Sequence, residues 1–410
     1  MTADTRRPLQ ALPLQGVTVL DLGQIYNGPY ATFLMAMAGA RVIKIEPLEG
    51  ESLRQRTLIG GAALPFAMLN ANKIAVTLNL KRKRGREILF EMARKADVLL
   101  ENFLPGKLEK LGVGYDAVKA VNPRLIYASG SGFGSSGPYS SYPAMDITIQ
   151  AMSGAMSVTG FPDGPPTKIG PALCDFSCGV HLYGAVVSAL YQREKTGVGQ
   201  KVEVAMLEAI YFSLSSSLGL YFASGNYGGP VRFPQRTGNS HSGRAAAPYS
   251  VYETSDGHVT ILCTNNKHWA ALTRAMDQPG LEHDSRFDTA KKRAANVGEV
   301  DAIVGAFARG HSRDALFQLL LSHKVPCAPV RDLADVTNDP HLHQRGMLEW
   351  MTHPTYGRIA AARSPLRFGD HEPNPLTPSG ELGADNAQVY GDWLGLPAEE
   401  LAQLKADGVI

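Results

Sequence analysis

Among the residues that could do covalent or acid–base chemistry, Asp175 has the most informative setting. It ends the segment Pro165-Pro-Thr-Lys-Ile-Gly-Pro-Ala-Leu-Cys-Asp175, where an extended stretch meets a long apolar helical pattern over 176–195. An aspartate at such a junction is a good helix N-cap, because its side chain accepts from first-turn N–H groups. The same place suits a nucleophile. A carboxylate at a helix N-terminus stays ionised, and free N–H groups there can stabilise charge that develops in acyl transfer. The two readings are compatible, and local pattern does not separate them.

Other patterns carry less chemistry. Gly132-Phe-Gly134-Ser-Ser-Gly137 spells GxGxxG after a strand, but Pro138 and a Ser/Tyr/Pro-rich segment follow where a phosphate-binding helix should open. Nicotinamide and flavin binding are therefore disfavoured. The sequence has no Gly-x-Ser-x-Gly elbow. His341 with His343, and His371 beside Glu372, lack the His-Glu-x-x-His spacing that puts two ligands on one helix face. Cys174 and Cys178 are four apart, without a second Cys or His pair to complete a zinc site; with Cys263 and Cys327 they read as reduced, mostly buried thiols. No metal and no redox cofactor is expected.

Forty Lys+Arg balance thirty-eight Asp+Glu, and no tail concentrates either sign. Nucleic-acid binding is disfavoured, since it needs a basic surface. The one dense basic run, Lys81-Arg82-Lys83-Arg84, reads first as a solvated helix entry and second as a contact to a ligand phosphate. The N-terminus lacks the apolar stretch of a signal peptide, and no apolar run reads as long enough to span a bilayer. The expected setting is the cytoplasm, with no membrane partner.

At 410 residues the chain exceeds one ordinary core, so two domains, possibly three, must position these groups. Over the first 130 residues, β-branched strands at 17–21, 41–46, 74–78, 97–101 and 124–128 alternate with helical patterns. Gly28-Pro29 opens the first helix and Gly39 follows its end. That alternation predicts an α/β fold with a Rossmann-like, doubly wound parallel sheet. Val202-Glu-Val-Ala-Met206 reads as the start of another helix. Asp256-Gly257 between two β-rich runs signals a hairpin, and helical patterns near 267–276, 297–309 and 313–323 complete a smaller α+β domain. A short strand near 327–330 and an amphipathic helix over 387–393 follow. The predicted division is 1–205 for the first part of the large domain and 206–235 for a linker. The small domain takes 236–324, and 325–410 completes the large one.

Several separated motifs together resemble the class III CoA-transferase family, which includes formyl-CoA:oxalate and carnitine CoA-transferases. They are Gly39-Ala-Arg-Val-Ile-Lys-Ile-Glu46, Ala96-Asp-Val-Leu-Leu-Glu-Asn-Phe103 with Pro105-Gly106, Thr159-Gly-Phe-Pro-Asp-Gly-Pro-Pro166, Thr196-Gly-Val-Gly-Gln-Lys-Val202 and Val325-Pro-Cys-Ala-Pro-Val330. The resemblance runs from Leu14 to the C-terminus. It implies transfer of coenzyme A from an acyl-CoA to a free carboxylic acid, with Asp175 as nucleophile through aspartyl-acyl anhydride and aspartyl-CoA thioester intermediates. First-turn N–H groups of the helix after Asp175 are then candidates for an oxyanion site. The resemblance also implies a ring-shaped protomer in an interlocked homodimer.

Carried over position by position, the family's coenzyme A contacts fall on Tyr26 and Asn27, on Asn70, Ala71, Asn72 and Lys73, and on Asn102, Phe103 and Leu104. Others fall on Lys110 and on Pro143, Ala144, Met145 and Asp146. Lys73 and Lys110 suit the phosphates as point charges, though a plain surface role for Lys110 stays open. Pro47 stands where some members have an arginine, which leaves the adenine side of that site in question. Racemases of 2-methylacyl-CoA are the alternative reading. They carry a His-Asp pair where this chain has Met145-Asp146, and methionine cannot be a base. The region 238–248 has only two separated glycines where the oxalate-type enzymes have a glycine run, so oxalate is not the preferred acceptor. His241 and Arg244 are candidates to meet the acceptor carboxylate.

Overall fold

The computed structural model describes residues 11–55, 64–225, 235–354, 356–369 and 374–410. His371 and Glu372 lie outside them. The chain forms two compact units: described residues up to 149 with 171–210 and 339–410, and 150–170 with 211–338.

In the first unit, β1 (Thr18–Asp21), β2 (Arg41–Glu46), β3 (Ile74–Thr77), β4 (Val98–Glu101), β5 (Ile126–Ser131) and β6 (Lys201–Ala205) form a wholly parallel sheet in the order β3-β2-β1-β4-β5-β6. The helices are α1 (Asn27–Met37), α2 (Lys83–Lys95), α3 (Tyr115–Val121), α4 (Asp146–Met152, whose last residues fall in the second unit) and α5 (Leu173–Thr196). Strand alternation sends Val19, Val42, Val98 and Ile126 to one face, against Ala31 and Met35 of α1 and Leu182 and Val186 of α5. Leu20, Ile43, Val76 and Leu99 face the other way, onto Ile88 and Met92 of α2 and Val118 of α3. Burial on both faces is why these strands read as continuous apolar runs.

Residues 202–206 are not a helix start. They lie in β6 and its first residue beyond, with Tyr127 opposite Lys201 and Ser131 opposite Ala205. Alternation of Lys201, Val202, Glu203 and Val204 suits an edge strand, and its partner lies some 70 residues back, outside any local window. The helix begins at Met206. The stretch expected as a linker is helical over Met206–Tyr211 and Ser215–Ala223, while 226–234 lie outside the described residues.

Length and composition would let α5 cross a bilayer, contrary to the sequence expectation. Here it is a core helix, with Cys174, Cys178, Leu182, Val186 and Leu190 buried. The C-terminal segment adds a hairpin of β10 (Leu348–His353) and β11 (Gly357–Ala362). A π-helical turn over Ala387–Trp393 then brings Val389 and Tyr390 into the core on the α2 face.

The second unit pairs β7 (Tyr249–Glu253) with β8 (His258–Leu262) through the Asp256-Gly257 turn, and β9 (Cys327–Pro329) adds antiparallel to β8. α6 (Asn266–Ala275), α7 (Val297–Arg309) and α8 (Arg313–Ser322) share a core of Trp269, Phe287, Val300 and Leu316 with this sheet. Because β9 belongs to that ladder, residues 325–338 stay with the second unit, and the return to the first begins at Asp339.

Candidate active site at the start of α5

Asp175 is the third residue of α5, not its cap, which is Ala172. The capping role goes to Asp146, whose Oδ1 accepts from the Cys174 N–H at 2.8 Å and the Asp175 N–H at 3.2 Å. Leu173 N–H donates to the Pro171 carbonyl and Phe176 N–H to the Ala172 carbonyl. The first-turn N–H groups are therefore taken. They do not form the expected oxyanion site, because the Asp146 carboxylate takes two of them and backbone carbonyls take the others.

The Asp175 side chain is itself buried, with 8% of the residue exposed. Burial above all, and then the Asp146 carboxylate, pushes its carboxyl up to about 7, against the Asn27 backbone N–H, which donates to it and favours the ion. The neighbouring Cys174 thiol is pushed up to about 12, also mainly by burial. A carboxylate held this way is poorly solvated and correspondingly nucleophilic. Gly179, one turn on, lets α5 approach α1, since a Cβ there would lie 2.8 Å from the Asn27 carbonyl oxygen.

The loop after β1 delivers that Asn27 N–H, and its support was largely hidden in the sequence. Asn102, just past β4, accepts from Gln24 N–H and donates to the Gln24 carbonyl, both at 2.8 Å, and donates to Asn27 Oδ1 at 2.6 Å. Ile25 sits at φ +65°, an unfavourable region for a β-branched residue, with its N–H on Glu51 Oε2. Asp21 accepts from Gly23 N–H, and Lys44 Nζ donates to the Gly23 carbonyl. Such over-determined strain is a mark of functional loops. Glu101, at the end of β4, is pushed up to about 7 by burial, while accepting from Ser129 Oγ and Phe103 N–H.

The predicted site residues separate into groups. Tyr26, Asn27, Asn102 and Asp146 come together with Asp175 through the contacts above and through the stacking of Tyr26 on Phe176. Lys73 does not fit a phosphate-binding role. It is buried, and its Nζ lies 2.8–2.9 Å from Asp21 Oδ2, the Pro29 carbonyl, Thr32 Oγ1 and Asn70 Oδ1, which use its three protons. Asn70 is thus a partner of Lys73, Ala71 packs among Phe33, Leu34 and Met37, and Asn72 holds Pro375 and Thr377 of the returning chain. Leu104 and Met145 are 46% and 50% exposed, and Lys110 and Pro143 are exposed. Ala144 packs beside Ile149. In the second unit, His241 Nδ1 accepts from Gly243 N–H at 3.1 Å, which leaves Nε2 to carry a proton, and Arg244 is exposed at φ +51°.

A cavity of about 300 Å³ opens at the C-terminal ends of β1, β2 and β3. Leu22, Leu48, Leu80 and Phe103 line it with Lys81 and Lys107. Crevices at these strand ends are where parallel α/β sheets bind ligands. Of the predicted contacts only Phe103 lines it. Lys107 was missed, and its Nζ lies 4.1 Å from the Phe103 ring centre. Among the described residues no group of three or more His, Cys, Asp or Glu could hold a metal ion.

The doubly wound α/β unit thus combines a buried aspartate of raised pKa with a crevice at its strand ends. The sequence profile of CoA-transferase family III matches residues 14–386. Formyl-CoA:oxalate CoA-transferase of Streptomyces coelicolor is 36% identical over 416 residues, covering 98% of this chain and all of that one. Acetyl-CoA:oxalate CoA-transferase of Acetobacter aceti is 41% identical over 343 residues, 82% of this chain and 85% of its own. A CaiB/BaiF family protein from Brucella suis superposes with a TM-score of 0.81 at 34% identity, over 93% of this chain and all of that chain. The chain belongs to CoA-transferase family III, and it is a class III CoA-transferase.

Proposed function

We propose that the chain moves coenzyme A from an acyl-CoA to a free carboxylic acid by covalent catalysis on Asp175. The observation that carries this reading is a buried carboxylate in the first turn of α5, close to Asn27 where α1 and α5 meet, which burial pushes up to about 7. The carboxylate attacks the thioester carbonyl, forming a C–O bond and expelling CoA thiolate, to leave an aspartyl–acyl anhydride. The thiolate attacks the aspartyl carbon, releasing the donor acid and leaving an aspartyl-CoA thioester. The acceptor carboxylate attacks that thioester carbonyl and frees the thiolate. The thiolate takes the acceptor's acyl group and restores Asp175. No net proton moves.

The Asn27 N–H, whose interaction favours the Asp175 ion, is the candidate donor to the oxyanion formed at the aspartyl carbon, in place of the occupied helix N–H groups. Coenzyme A would lie along the strand-end cavity, with Lys81 and Lys107 toward its phosphates. Racemisation is disfavoured, because the Met145 side chain supplies no base. Oxalate, the acid in the names of three relatives, is a less favoured acceptor here. An interlocked homodimer in the cytoplasm completes the proposal, and sedimentation with crosslinking tests the dimer.

The test of mechanism is Asp175→Ala with succinyl-CoA, benzoyl-CoA and a panel of acids. Transfer should vanish while CoA still binds, and hydroxylamine should trap the wild-type acyl-enzyme as an aspartyl hydroxamate by mass. Near-normal turnover by the variant rules out Asp175 as nucleophile.

A further inference from the structure

Glu51 is a buried carboxylate that neither the reaction steps nor the predicted site residues include. It is 5% exposed, and it lines the strand-end cavity beside Leu22, Gly23 and Gln24 of the loop after β1. One of its oxygens, Oε2, accepts from Ile25 N–H at 3.2 Å and from Leu53 N–H at 3.1 Å. The other, Oε1, lies 3.8 Å from Lys44 Nζ, which donates to the Gly23 carbonyl. Glu51 N–H donates to Glu46 Oε2 at 3.1 Å, and Arg54 holds the Glu46 carboxylate. The two N–H groups on Oε2 bracket Tyr26. Ile25 precedes it in the chain at φ +65°, and Leu53 packs against it together with Phe66. Tyr26 in turn stacks on Phe176, the residue after Asp175, with ring centres 5.8 Å apart. Positive φ is unfavourable for a β-branched residue and persists only where neighbours over-determine it.

From this geometry we infer that Glu51 is a positioning residue for transfer at Asp175: it holds residues 25–27 in the strained turn that sets Tyr26 and the Asn27 backbone against the start of α5. The inference rests on Asp175 as nucleophile. Without its acceptor the turn relaxes toward ordinary dihedrals, and Asn27, two residues on, moves with it. The Asn27 N–H favours the Asp175 ion, so its withdrawal raises the pH at which Asp175 ionises. Loss of the Glu51 charge, where felt at Asp175, acts in the opposite direction. The sign of the shift therefore separates lost position from lost charge. Asp146, Cys174 and Cys178 also face Asp175, and the substitutions below leave them unchanged.

The experiment measures kcat, KM for acyl-CoA and the pH profile of kcat/KM with succinyl-CoA, benzoyl-CoA and the panel of acids, in wild type, Glu51→Leu, Glu51→Asp and Glu51→Gln. Glu51→Leu should lower kcat by about ten- to a hundredfold, the cost of a small misplacement, and leave KM for acyl-CoA within about threefold. Its acid limb should move up by about half a pH unit or more. Glu51→Asp keeps the charge and reaches Leu53 N–H but not Ile25 N–H, so it should shift both readings the same way; it serves should the leucine variant fail to fold. Glu51→Gln keeps an oxygen for both N–H groups and should lose only about two- to tenfold in kcat, as a neutral acceptor replaces a charged one. A raised KM alone, an acid limb unmoved or lowered in the folded leucine and aspartate variants, or a glutamine variant as impaired as leucine overturns the role of Glu51 and leaves the Asp175 chemistry standing. Near-normal turnover by Asp175→Ala, or no new thioester from wild type with any acid of the panel, overturns both.

Discussion

Replacing Asp175 with asparagine should abolish transfer and stabilise the protein at neutral pH. The carboxyl titrates at 3.8 when unperturbed and at about 7 in the fold. Between those values the folded state keeps a proton that the unfolded chain has released, so unfolding free energy falls as pH rises through that window and levels off above 7. A rise of about three decades in proton affinity, at ~1.4 kcal/mol each, corresponds to roughly 4 kcal/mol. Asparagine keeps the shape and stands for the neutral acid, and the loss of the charged acceptor for the Asn27 N–H is already contained in the net shift. The variant should therefore exceed wild type by about 4 kcal/mol at pH 8 and by nothing near pH 3.5. Urea unfolding followed by circular dichroism at several pH values reads this difference. Parallel pH curves, or a variant less stable at pH 8, would refute the idea that burial of the charge sets the nucleophile's pKa.

Asp146→Asn removes the second-largest push on Asp175, so the acid limb of kcat/KM, which rises through about 7 as the nucleophile ionises, should move to lower pH. A pH–rate profile shows the shift. Asn102→Ala deletes three bonds to the 24–27 loop and should lower kcat by about ten- to a hundredfold, with about 1–3 kcal/mol lost in urea unfolding. Lys73→Met removes the ion-pair partner of buried Asp21 and should cost about 3–5 kcal/mol of stability, whereas a phosphate-binding lysine would chiefly raise KM. Lys81→Ala and Lys107→Ala should each raise KM for acyl-CoA with little change in kcat. The increase should shrink at high salt, where exposed charge pairs are screened.

The first five strands of the parallel sheet and the small α+β unit were legible because they rest on local signals, β-branched runs buried on both faces, Pro at a helix start and an Asp-Gly hairpin turn, whereas the edge strand β6 and the β10–β11 hairpin were not. Asp175 was legible as a candidate for a similar reason, as an acid where an extended segment meets a long apolar helix. What that acid does depends on partners far along the chain. Asp146, 28–29 residues back, takes the helix N–H groups that a local reading left free, and the Asn27 N–H, delivered across the α1–α5 crossing, replaces them. Lys73 looked like a phosphate ligand, and only its burial against Asp21 and Thr32 shows it to be an internal cation. Sequence determined which residue types lay at strand ends and helix starts. Tertiary structure decided which were desolvated and which were already paired, because burial and hydrogen bonding depend on neighbours that spacing along the chain does not encode.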